Sequence, residues 1–306
     1  MKNKWFVIVN PTSGNGASKK KWPLIYNELI AQNFSIEHSI TKHKTHAIEI
    51  IKKAVNKGFK KFICVGGDGT LHTIVNGILQ LEPLIISEIK IGIIPIGTGN
   101  DWVKTYNISK NYKEAIQIIK AENSLKQDIG KIILSKTKET VYFNNLAGIG
   151  FDGYVVNKVH KFKNLGFLAY LAGAIVSLAS YKKATLEIKF NNTVIKEKTL
   201  MLLIGICKFS GGGMQLTQKV HPTDGLFDIS IIHKVHLFNI LGNLPGLFNG
   251  NITNHKLINN YKTASLEIKV LDNKTTYIQA DGELIGSGDF TVSNIKKAIS
   301  FIVPRK

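Results

Sequence analysis

The strongest constraint on the fold is an alternation, in the first 120 or so residues, between short apolar runs and segments of helical periodicity. The runs WFVIVN (5–10), KFICV (61–65) and IKIGIIPI (89–96) are continuous and apolar, which is typical of strands buried on both faces. Between the first two, the segment THAIEIIKKAVNKG places apolar residues on one helical face, namely Ala47, Ile50, Ile51, Ala54 and Val55. This order predicts a parallel sheet with helices on both faces.

From about residue 130 the pattern changes to one dominated by strands. Segments such as ATLEIKF (184–190), ASLEIKV (264–270) and TTYIQA (275–280) follow one another, with turn residues between them. Two segments of helical character interrupt them, at about 152–181 and 235–248. These observations predict a fold of class α/β plus β, with an N-terminal α/β domain at 1–127 and a C-terminal β-sandwich domain at 128–292.

Composition indicates a folded protein with an anionic partner. The chain has 40 Lys and Arg against 21 Asp and Glu, a formal net charge of +19, which favours nucleotides, nucleic acid or an acidic membrane. Arg305 is the only arginine, whereas nucleic-acid readers rely on arginine, and such lysine use also fits genomic base bias. Two isolated cysteines form no disulfide framework and no zinc spacing, so we expect a reducing cytoplasm. The longest uncharged stretch, 164–181, is rich in small residues, which argues against a membrane-spanning helix.

Three glycine-rich loops follow predicted strands. They are NPTSGNG (10–16), GGDGT (66–70) and PIGTGND (95–101). The carboxyl ends of parallel strands meet at one edge of a sheet, so we expect these loops to lie close together. Each loop alone is equally well explained as a turn, but three together favour phosphate binding, and Asp68 and Asp101 add carboxylates that suit Mg²⁺.

Two further motifs have competing interpretations. GIGFDG (148–153) has the spacing of a dinucleotide-binding loop, but no acidic residue occurs from 154 to 186, and we reject that function. The segment ADGELIGSG contains Asp281 and Glu283; in an extended strand both carboxylates would face the same way, and one of them could accept a proton. Asp-Gly is also a common turn pair, and on these residues alone the hairpin turn is the better interpretation.

Seven motifs in order resemble the bacterial diacylglycerol kinase and lipid kinase family, which includes the catalytic domains of eukaryotic diacylglycerol and sphingosine kinases. The motifs are NPTSG, GGDGT, PIGTGND, FNNLAGIGFD, SGGGM, TDGLFDI and DGE, and they span nearly the whole chain. The resemblance implies an ATP-binding α/β domain and a β-sandwich domain for the lipid substrate, with the active site in the cleft between them. It also implies that the last residues, about 293–306, return to the first domain.

The resemblance implies specific roles for residues of this chain. ATP contacts are implied for Asn10, Pro11, Thr12, Ser13, Gly14, Thr41, Gly66, Gly67, Asp68, Gly69, Thr70, Leu71, His72 and Thr98. Glu283 is the implied proton acceptor, with Asp281 beside it. A network that holds the catalytic Mg²⁺ is implied for Asp68, Asp101 and Asp128. A structural Mg²⁺ is implied on the Asp224 carboxylate and on the main-chain oxygens of His221 and Leu226. The chain departs from the family pattern at His72, near Cys207 and at Gln218.

The expected function is therefore an ATP- and Mg²⁺-dependent lipid kinase that phosphorylates the hydroxyl of a lipid such as diacylglycerol. The alternatives are an NAD kinase-like enzyme, whose family shares the GGDGT loop, and a nucleotide-binding regulator without catalysis. Expected partners are the lipid substrate and an anionic membrane, contacted peripherally at its inner face, and no nucleic acid; a homodimer stays open. Membrane contact would use 164–181 and its flanking lysines, although a helix of the protein core explains that stretch better.

Overall fold

The chain divides into two compact units. The computed structural model describes residues 4–159, 173, 176–178, 180–233 and 244–305. Unit 1 comprises Met1–Gln127 and Lys297–Lys306, and unit 2 comprises Asp128–Lys296. Unit 1 has an α/β architecture and unit 2 is built from antiparallel sheets, which confirms the predicted fold class.

Unit 1 is built on a parallel sheet. Its strands are β1 (Trp5–Val9), β2 (Ile36–Ile40), β3 (Lys61–Gly66) and β4 (Lys90–Pro95). They pair in the order β2-β1-β3-β4, with Trp5 opposite both Ile36 and Lys61. The last strand of the chain extends this sheet, because Ser300 and Phe301 pair in parallel with β4. All of β1 and nearly all of β3 and β4 are buried, as their continuous apolar sequences predict.

Helices connect the strands of unit 1. They are α1 (Ala17–Ala31), α2 (His46–Asn56), α3 (Asp68–Ile78), α4 (Pro83–Glu88), α5 (Asp101–Thr105) and α6 (Tyr112–Lys120). Four of the five residues predicted for the apolar face of α2 are buried, and Val55 is half-buried. Helix α3 is buried from Thr70 to Ile78, which makes it the central helix of this unit. It approaches α2 closely, since a Cβ atom on Gly77 would lie 3.1 Å from the Cα of Ile48.

Unit 2 contains two sets of antiparallel strands. The strands are β5 (Ser124–Leu134, which begins in unit 1), β6 (Thr140–Phe143), β7 (Leu146–Gly150), β8 (Ala184–Phe190), β9 (Thr193–Thr199), β10 (Met201–Gly205), β11 (Phe227–Ile232), β12 (Ile258–Thr263), β13 (Ser265–Val270), β14 (Tyr277–Ala280), β15 (Glu283–Ser287) and β16 (Phe290–Ile302, which ends in unit 1). One sheet has the order β12-β11-β10-β7-β14-β15. The other set runs β16-β13-β8-β9, and the β5-β6 hairpin joins it through β16. The described helices are α7 (Phe151–Val159), α8 (Leu244–Asn249) and a 3₁₀ helix at Asn251–Asn254.

The sequence patterns do not predict β9 and β12, and both are edge strands. Their sequences, TVIKEKT and INNYKT, are largely polar, and each strand has a single buried residue, the others being exposed or half-buried. Charged and polar residues on an edge strand prevent unwanted pairing with other chains. The same residues remove the apolar alternation by which a strand is recognised in a sequence.

The predicted membrane-contacting stretch at 164–181 lies almost entirely outside the described residues, as do residues 235–243 of the second predicted helical segment. No helix within the part of the chain that the structure describes has the length and apolar character needed to cross a membrane. Both cysteines are free and buried, and burial raises the pKa of the Cys64 thiol.

Candidate active site

The first two glycine-rich loops are joined by side-chain hydrogen bonds. Asn10 follows β1, and its Nδ2 donates to Thr70 Oγ1 in the first turn of α3 at 2.9 Å. Asn10 Oδ1 accepts from the backbone N–H of Thr12 at 3.1 Å and from the Thr12 hydroxyl at 2.9 Å. Ser13 Oγ lies 3.3 Å from Thr70 Oγ1. The NPTSG and GGDGT loops therefore form one hydrogen-bonded cluster, as their positions after neighbouring strands predict.

Asp68 joins the second loop to the third. Its Oδ2 accepts from the backbone N–H of Asp101, and its Oδ1 accepts from that of Trp102, both at 3.1 Å. These are orphan donors at the start of α5, where a carboxylate is favourable. A Cβ atom on Gly99 would lie 3.2 Å from Asp68 Oδ2 and 3.4 Å from Asp101 Oδ2. The structure thus brings together two of the three acids predicted for the catalytic Mg²⁺.

Close contacts explain why glycines occur in the second and third loops. A Cβ atom on Gly97 would lie 2.6 Å from the Cα of Gly67, so the second and third loops touch through their main chains. A Cβ atom on Gly66 would lie 2.5 Å from Thr70 Oγ1. Side chains at these positions would separate the loops or displace the threonine.

A pocket of about 270 Å³ lies against the first and third loops of unit 1. Its lining includes Gly14, Asn15, Gly97 and Thr98. Gly14, Asn15 and Gly16 have φ of 61°, 54° and 84°, so the chain enters α1 through three successive left-handed residues. Within this turn the Gly16 N–H donates to the Thr12 carbonyl and the Ala17 N–H donates to the Gly14 carbonyl, both at 3.1 Å.

The pocket also contains two cations that the sequence analysis missed, Lys21 and Lys110. Lys21 lies in the run KKK in α1, one turn after the first loop. This position is the one feature of the sequence from which its place in the pocket could have been predicted. Lys110 lies well beyond the third loop in sequence and carries no motif. Together with the glycine-rich turns, they give the pocket the character of a phosphate site.

The other predicted nucleotide residues occupy different environments. Thr98 is exposed in the pocket, and Thr41 follows β2, where its N–H donates to the Val9 carbonyl at 2.8 Å. Leu71 and His72 are buried in α3. The His72 ring nitrogen Nε2 lies 3.4 Å from Nδ2 of Asn76, one turn further along α3. His72, where the chain departs from the family pattern, therefore contacts another residue of the same buried helix.

Asp128, the third predicted Mg²⁺ acid, belongs to unit 2 and is fully buried. Its Oδ2 accepts from the Gly225 N–H at 2.6 Å, and its own N–H donates to the Pro222 carbonyl at 2.9 Å. These bonds hold the loop HPTDGLF in place. Across the described residues, no group of three or more His, Cys, Asp or Glu side chains is arranged to hold a metal ion, so the two Mg²⁺ sites stay predictions.

The loop predicted to bind a structural Mg²⁺ contacts a lysine of β12, Lys262. Asp224 Oδ2 lies 3.3 Å from Lys262 Nζ, and Asp224 Oδ1 accepts from the Leu226 N–H at 2.9 Å. The same ammonium lies 3.4 Å from Asp228 Oδ2, and burial raises the pKa of Asp228 to about 6. Lys262 therefore places a positive charge beside the carboxylate that was predicted to bind the ion.

The segment DGE is a hairpin turn. Asp281 and Gly282 have φ of 52° and 78° and form the two-residue loop between β14 and β15. The hairpin turn, which was the better interpretation of these residues, is therefore confirmed, and the alternative of an extended strand with both carboxylates facing the same way is not, because Asp281 and Gly282 adopt the left-handed conformations that Asp-Gly favours.

The side chain of Asp281 fixes this turn to the strand connection before β7. Its two oxygens accept three backbone N–H groups, from Asn144 at 3.0 Å, Asn145 at 2.9 Å and Leu146 at 3.2 Å. Glu283 is the first residue of β15 and is half-buried. Asp281 thus anchors the turn that precedes Glu283.

Two family profiles match this chain, one in each half. The profile of the diacylglycerol kinase catalytic domain matches residues 4–132, and that of the YegS C-terminal NAD kinase beta sandwich-like domain matches residues 145–303, more than half of the chain. The chain belongs to the diacylglycerol kinase and lipid kinase family. It is similar to a diacylglycerol kinase of Staphylococcus haemolyticus (strain JCSC1435), with 28% identity over 98% of this chain and 88% of the relative.

Other members of the family show the same extent of similarity. A diacylglycerol kinase of Staphylococcus aureus (strain bovine RF122 / ET3-1) is 28% identical over 99% of this chain and 93% of the relative. A crystal structure of a diacylglycerol kinase from Bacillus anthracis strain Sterne superimposes with a TM-score of 0.74 at 21% identity, over 99% of this chain and 97% of that one. This structural likeness supports the fold alone.

Cys207, near which the chain departs from the family pattern, lies close to the residues that hold the DGE turn. Cys207 Sγ donates to the Asn144 carbonyl at 3.4 Å, and the Cys207 N–H donates to the Asn145 carbonyl at 3.1 Å. The N–H groups of Asn144 and Asn145 bind Asp281. The third departure, Gln218, donates from Nε2 to Asn254 Oδ1 at 2.6 Å at the surface of unit 2.

Proposed function

We propose that this protein transfers the γ-phosphoryl group of ATP, with Mg²⁺, to the hydroxyl of a lipid such as diacylglycerol. The observation that carries the proposal is the bonding of Asp68 to the start of α5, which joins the glycine-rich loops beside a lysine-bearing pocket. Phosphoryl transfer depends mainly on positioning the reactants and neutralising charge, and this arrangement suits both.

Unit 1 would bind the nucleotide. The N-terminus of α3 would supply backbone N–H groups for phosphate oxygens. Lys21 and Lys110 would each pair with a phosphate as a point charge. The hydroxyls of Thr12 and Ser13 lie in the same cluster and would complete the hydrogen bonding.

The two neighbouring carboxylates of unit 1 fit Mg²⁺ chemically. Asp68 and Asp101 offer hard oxygen ligands, and Mg²⁺ is usually held by one or two carboxylates together with substrate phosphates. Asp101 also pairs with Lys104 at 2.7 Å, which orients it. When bound, the ion would neutralise charge on the transferred phosphoryl group.

Glu283 would act as the base. The lipid hydroxyl oxygen forms a bond to the γ-phosphorus, and the bond from that phosphorus to the bridging oxygen breaks, so that its electron pair leaves with ADP. The hydroxyl proton moves to the Glu283 carboxylate. Asp281 would hold the turn that carries this base, through its three backbone hydrogen bonds.

We further propose peripheral contact with an anionic membrane at its cytoplasmic face. The formal charge of +19 supports this, as do exposed lysines such as Lys158 and Lys182 beside the apolar stretch. The test is sedimentation with phosphatidylglycerol vesicles before and after replacement of Lys158, Lys161 and Lys163 by Gln. Reduced sedimentation of the variant is expected, and unchanged sedimentation contradicts the proposal.

One observation favours a second candidate function, an NAD kinase-like enzyme, because the matching profile of unit 2 is described as NAD kinase beta sandwich-like. A nucleotide-binding regulator without catalysis is a third candidate, but the retained Asp68 and Glu283 favour an enzyme.

The deciding experiment measures phosphate transfer from γ-labelled ATP with Mg²⁺ into a panel of lipids and into NAD. It compares the wild type with Glu283→Gln and with the matched control Glu267→Gln, which changes an exposed glutamate on β13. Label in diacylglycerol that disappears only in Glu283→Gln is the expected result. Label in NAD would support the second candidate. Bound ATP without transfer to any acceptor would support the regulator.

A further inference from the structure

A carboxylate outside the proposed chemistry is connected to the turn that carries Glu283. Asp152 lies in the first turn of α7, and its Oδ2 accepts from Gln279 Nε2 at 2.5 Å. Gln279 is a buried residue of β14, and its Oε1 accepts from the Gly282 N–H at 2.8 Å. The Gln279 amide therefore bridges the carboxylate of Asp152 and the residue directly before Glu283.

Space for this carboxylate comes from the glycines of GIGFDG. A Cβ atom on Gly148 would lie 2.3 Å from Asp152 Oδ2, and one on Gly153 would lie 2.2 Å from the Tyr277 carbonyl oxygen. Gly150 has φ of 102°, and a Cβ atom there would lie 2.6 Å from the Leu200 carbonyl oxygen. The motif that resembles a dinucleotide loop is thus a packing device that brings α7 and the Asp152 carboxylate against β14.

A simple structural role does not account well for Asp152. An acidic residue in the first turn of a helix interacts favourably with the helix dipole, but it can do so from the surface. Here desolvation of the carboxylate raises the pKa of Asp152 to about 6, and the hydrogen bond from Gln279 lowers it. Asp152 is half-buried, and the partial withdrawal of its carboxylate from water is unfavourable unless it gains a specific partner, which here is the Gln279 amide.

The charge of Asp152 determines how the Gln279 amide is oriented. An ionised carboxylate only accepts hydrogen bonds, so it binds the NH₂ group of Gln279 and directs the amide oxygen toward the Gly282 N–H. With a neutral partner the amide can turn over and present its NH₂ group to that N–H. Gly282 would then lose this acceptor, and glycine has more conformational freedom than any other residue.

We propose that Asp152 is a positioning residue for Glu283, acting through Gln279 and the Gly282 peptide. The inference rests on the proposed function, because it assigns Glu283 the role of base. Asp281 fixes the first residue of the turn and Gln279 holds the second, so the two contacts together set the direction of the Glu283 side chain. A displacement of about 1 Å in a reacting group reduces the rate by about 100-fold.

The test uses an exchange of the two polar groups. Asp152→Ala and Gln279→Glu each break the bridge, the second by placing two carboxylates against each other. In the double variant Asp152→Asn with Gln279→Glu, the new Asn can donate to the new Glu, whose other oxygen accepts from Gly282. We expect kcat to fall by about 10- to 100-fold in each single variant, with the KM for ATP unchanged, and to recover largely in the double variant.

The matched control is Asp272→Ala, which removes another hydrogen-bonded carboxylate of unit 2, an acceptor for the Thr185 N–H at 2.8 Å on a different sheet. It should lower the melting temperature without lowering kcat. Full kcat in Asp152→Ala, or a double variant that folds but stays as slow as Gln279→Glu, overturns the inference while the proposed function stands. Full activity in Glu283→Gln overturns the inference together with the role of Glu283 as base, whereas the absence of phosphate transfer from wild type to any lipid overturns the proposed function itself.

Discussion

Replacing Asp281 by Asn tests the anchor of the DGE turn with little change in shape. Asp281 has φ of 52°, and Asn is among the few residues that tolerate this left-handed conformation. In the wild type, Oδ1 accepts from Asn145 and Leu146, and Oδ2 accepts from Asn144. In the variant one oxygen remains, and an NH₂ group takes the place of the other.

The expected decrease in the free energy of local opening follows from these three hydrogen bonds. The two bonds to the remaining oxygen change from charge-assisted to neutral, and the third is replaced by two donors that face each other. A hydrogen bond to a charged group contributes about 1.5–3 kcal/mol and a neutral one about 1 kcal/mol. Because the surrounding structure relaxes, we expect the free energy of local opening around residues 144–146 to fall by about 2–3 kcal/mol.

Hydrogen exchange of a peptide that covers residues 144–146 measures this opening directly. A loss of about 2–3 kcal/mol corresponds to an exchange rate about 30- to 160-fold faster at these N–H groups. Asp272→Asn is the control, because its carboxylate binds Thr185 and should leave residues 144–146 unchanged. Unaltered exchange at 144–146 in Asp281→Asn would show that the Asp281 carboxylate does not anchor the turn.

Three further predictions concern the pocket, the contacts of Lys262 with Asp224 and Asp228, and the pH dependence of stability. Lys21→Gln should raise the KM for ATP by about fivefold with kcat unchanged, since it removes one charge–phosphate pair of about 1 kcal/mol, and steady-state kinetics will show whether kcat falls instead. Lys262→Gln should increase the rise in melting temperature caused by Mg²⁺, because Asp224 and Asp228 lose their ammonium partner; an equal rise in wild type and variant contradicts this. Because the folded pKa of Asp152 is raised to about 6, its contribution to stability is fully present below about pH 4 and is lost as the pH rises through 6, by about 3 kcal/mol. Asp152→Asn should remove that loss in urea unfolding measured from pH 4 to 8, and an unchanged pH profile would refute the assignment.

Much of unit 1 is predictable from its sequence. The strands are continuous apolar runs, and the helices show a clear period, so β1, β3, β4 and α2 follow from local patterns. The three glycine-rich loops were expected to meet because parallel strands place their carboxyl ends together, and the bonds of Asn10 and Asp68 show that they do. Lys21 and Lys110 could not be predicted, since exposed lysines occur throughout the chain.

The sequence by itself determined the fold class, the identity of the loops and the family. These rest on hydrophobic periodicity, turn chemistry and the order of short motifs, which are local properties of a chain. The tertiary structure alone decided what several acids do. Asp281 binds the N–H groups of residues 144–146, Asp224 meets Lys262, and Asp152 reaches Gln279. Each of these pairs is distant in sequence, and a local pattern does not show which distant groups the folded chain brings into contact.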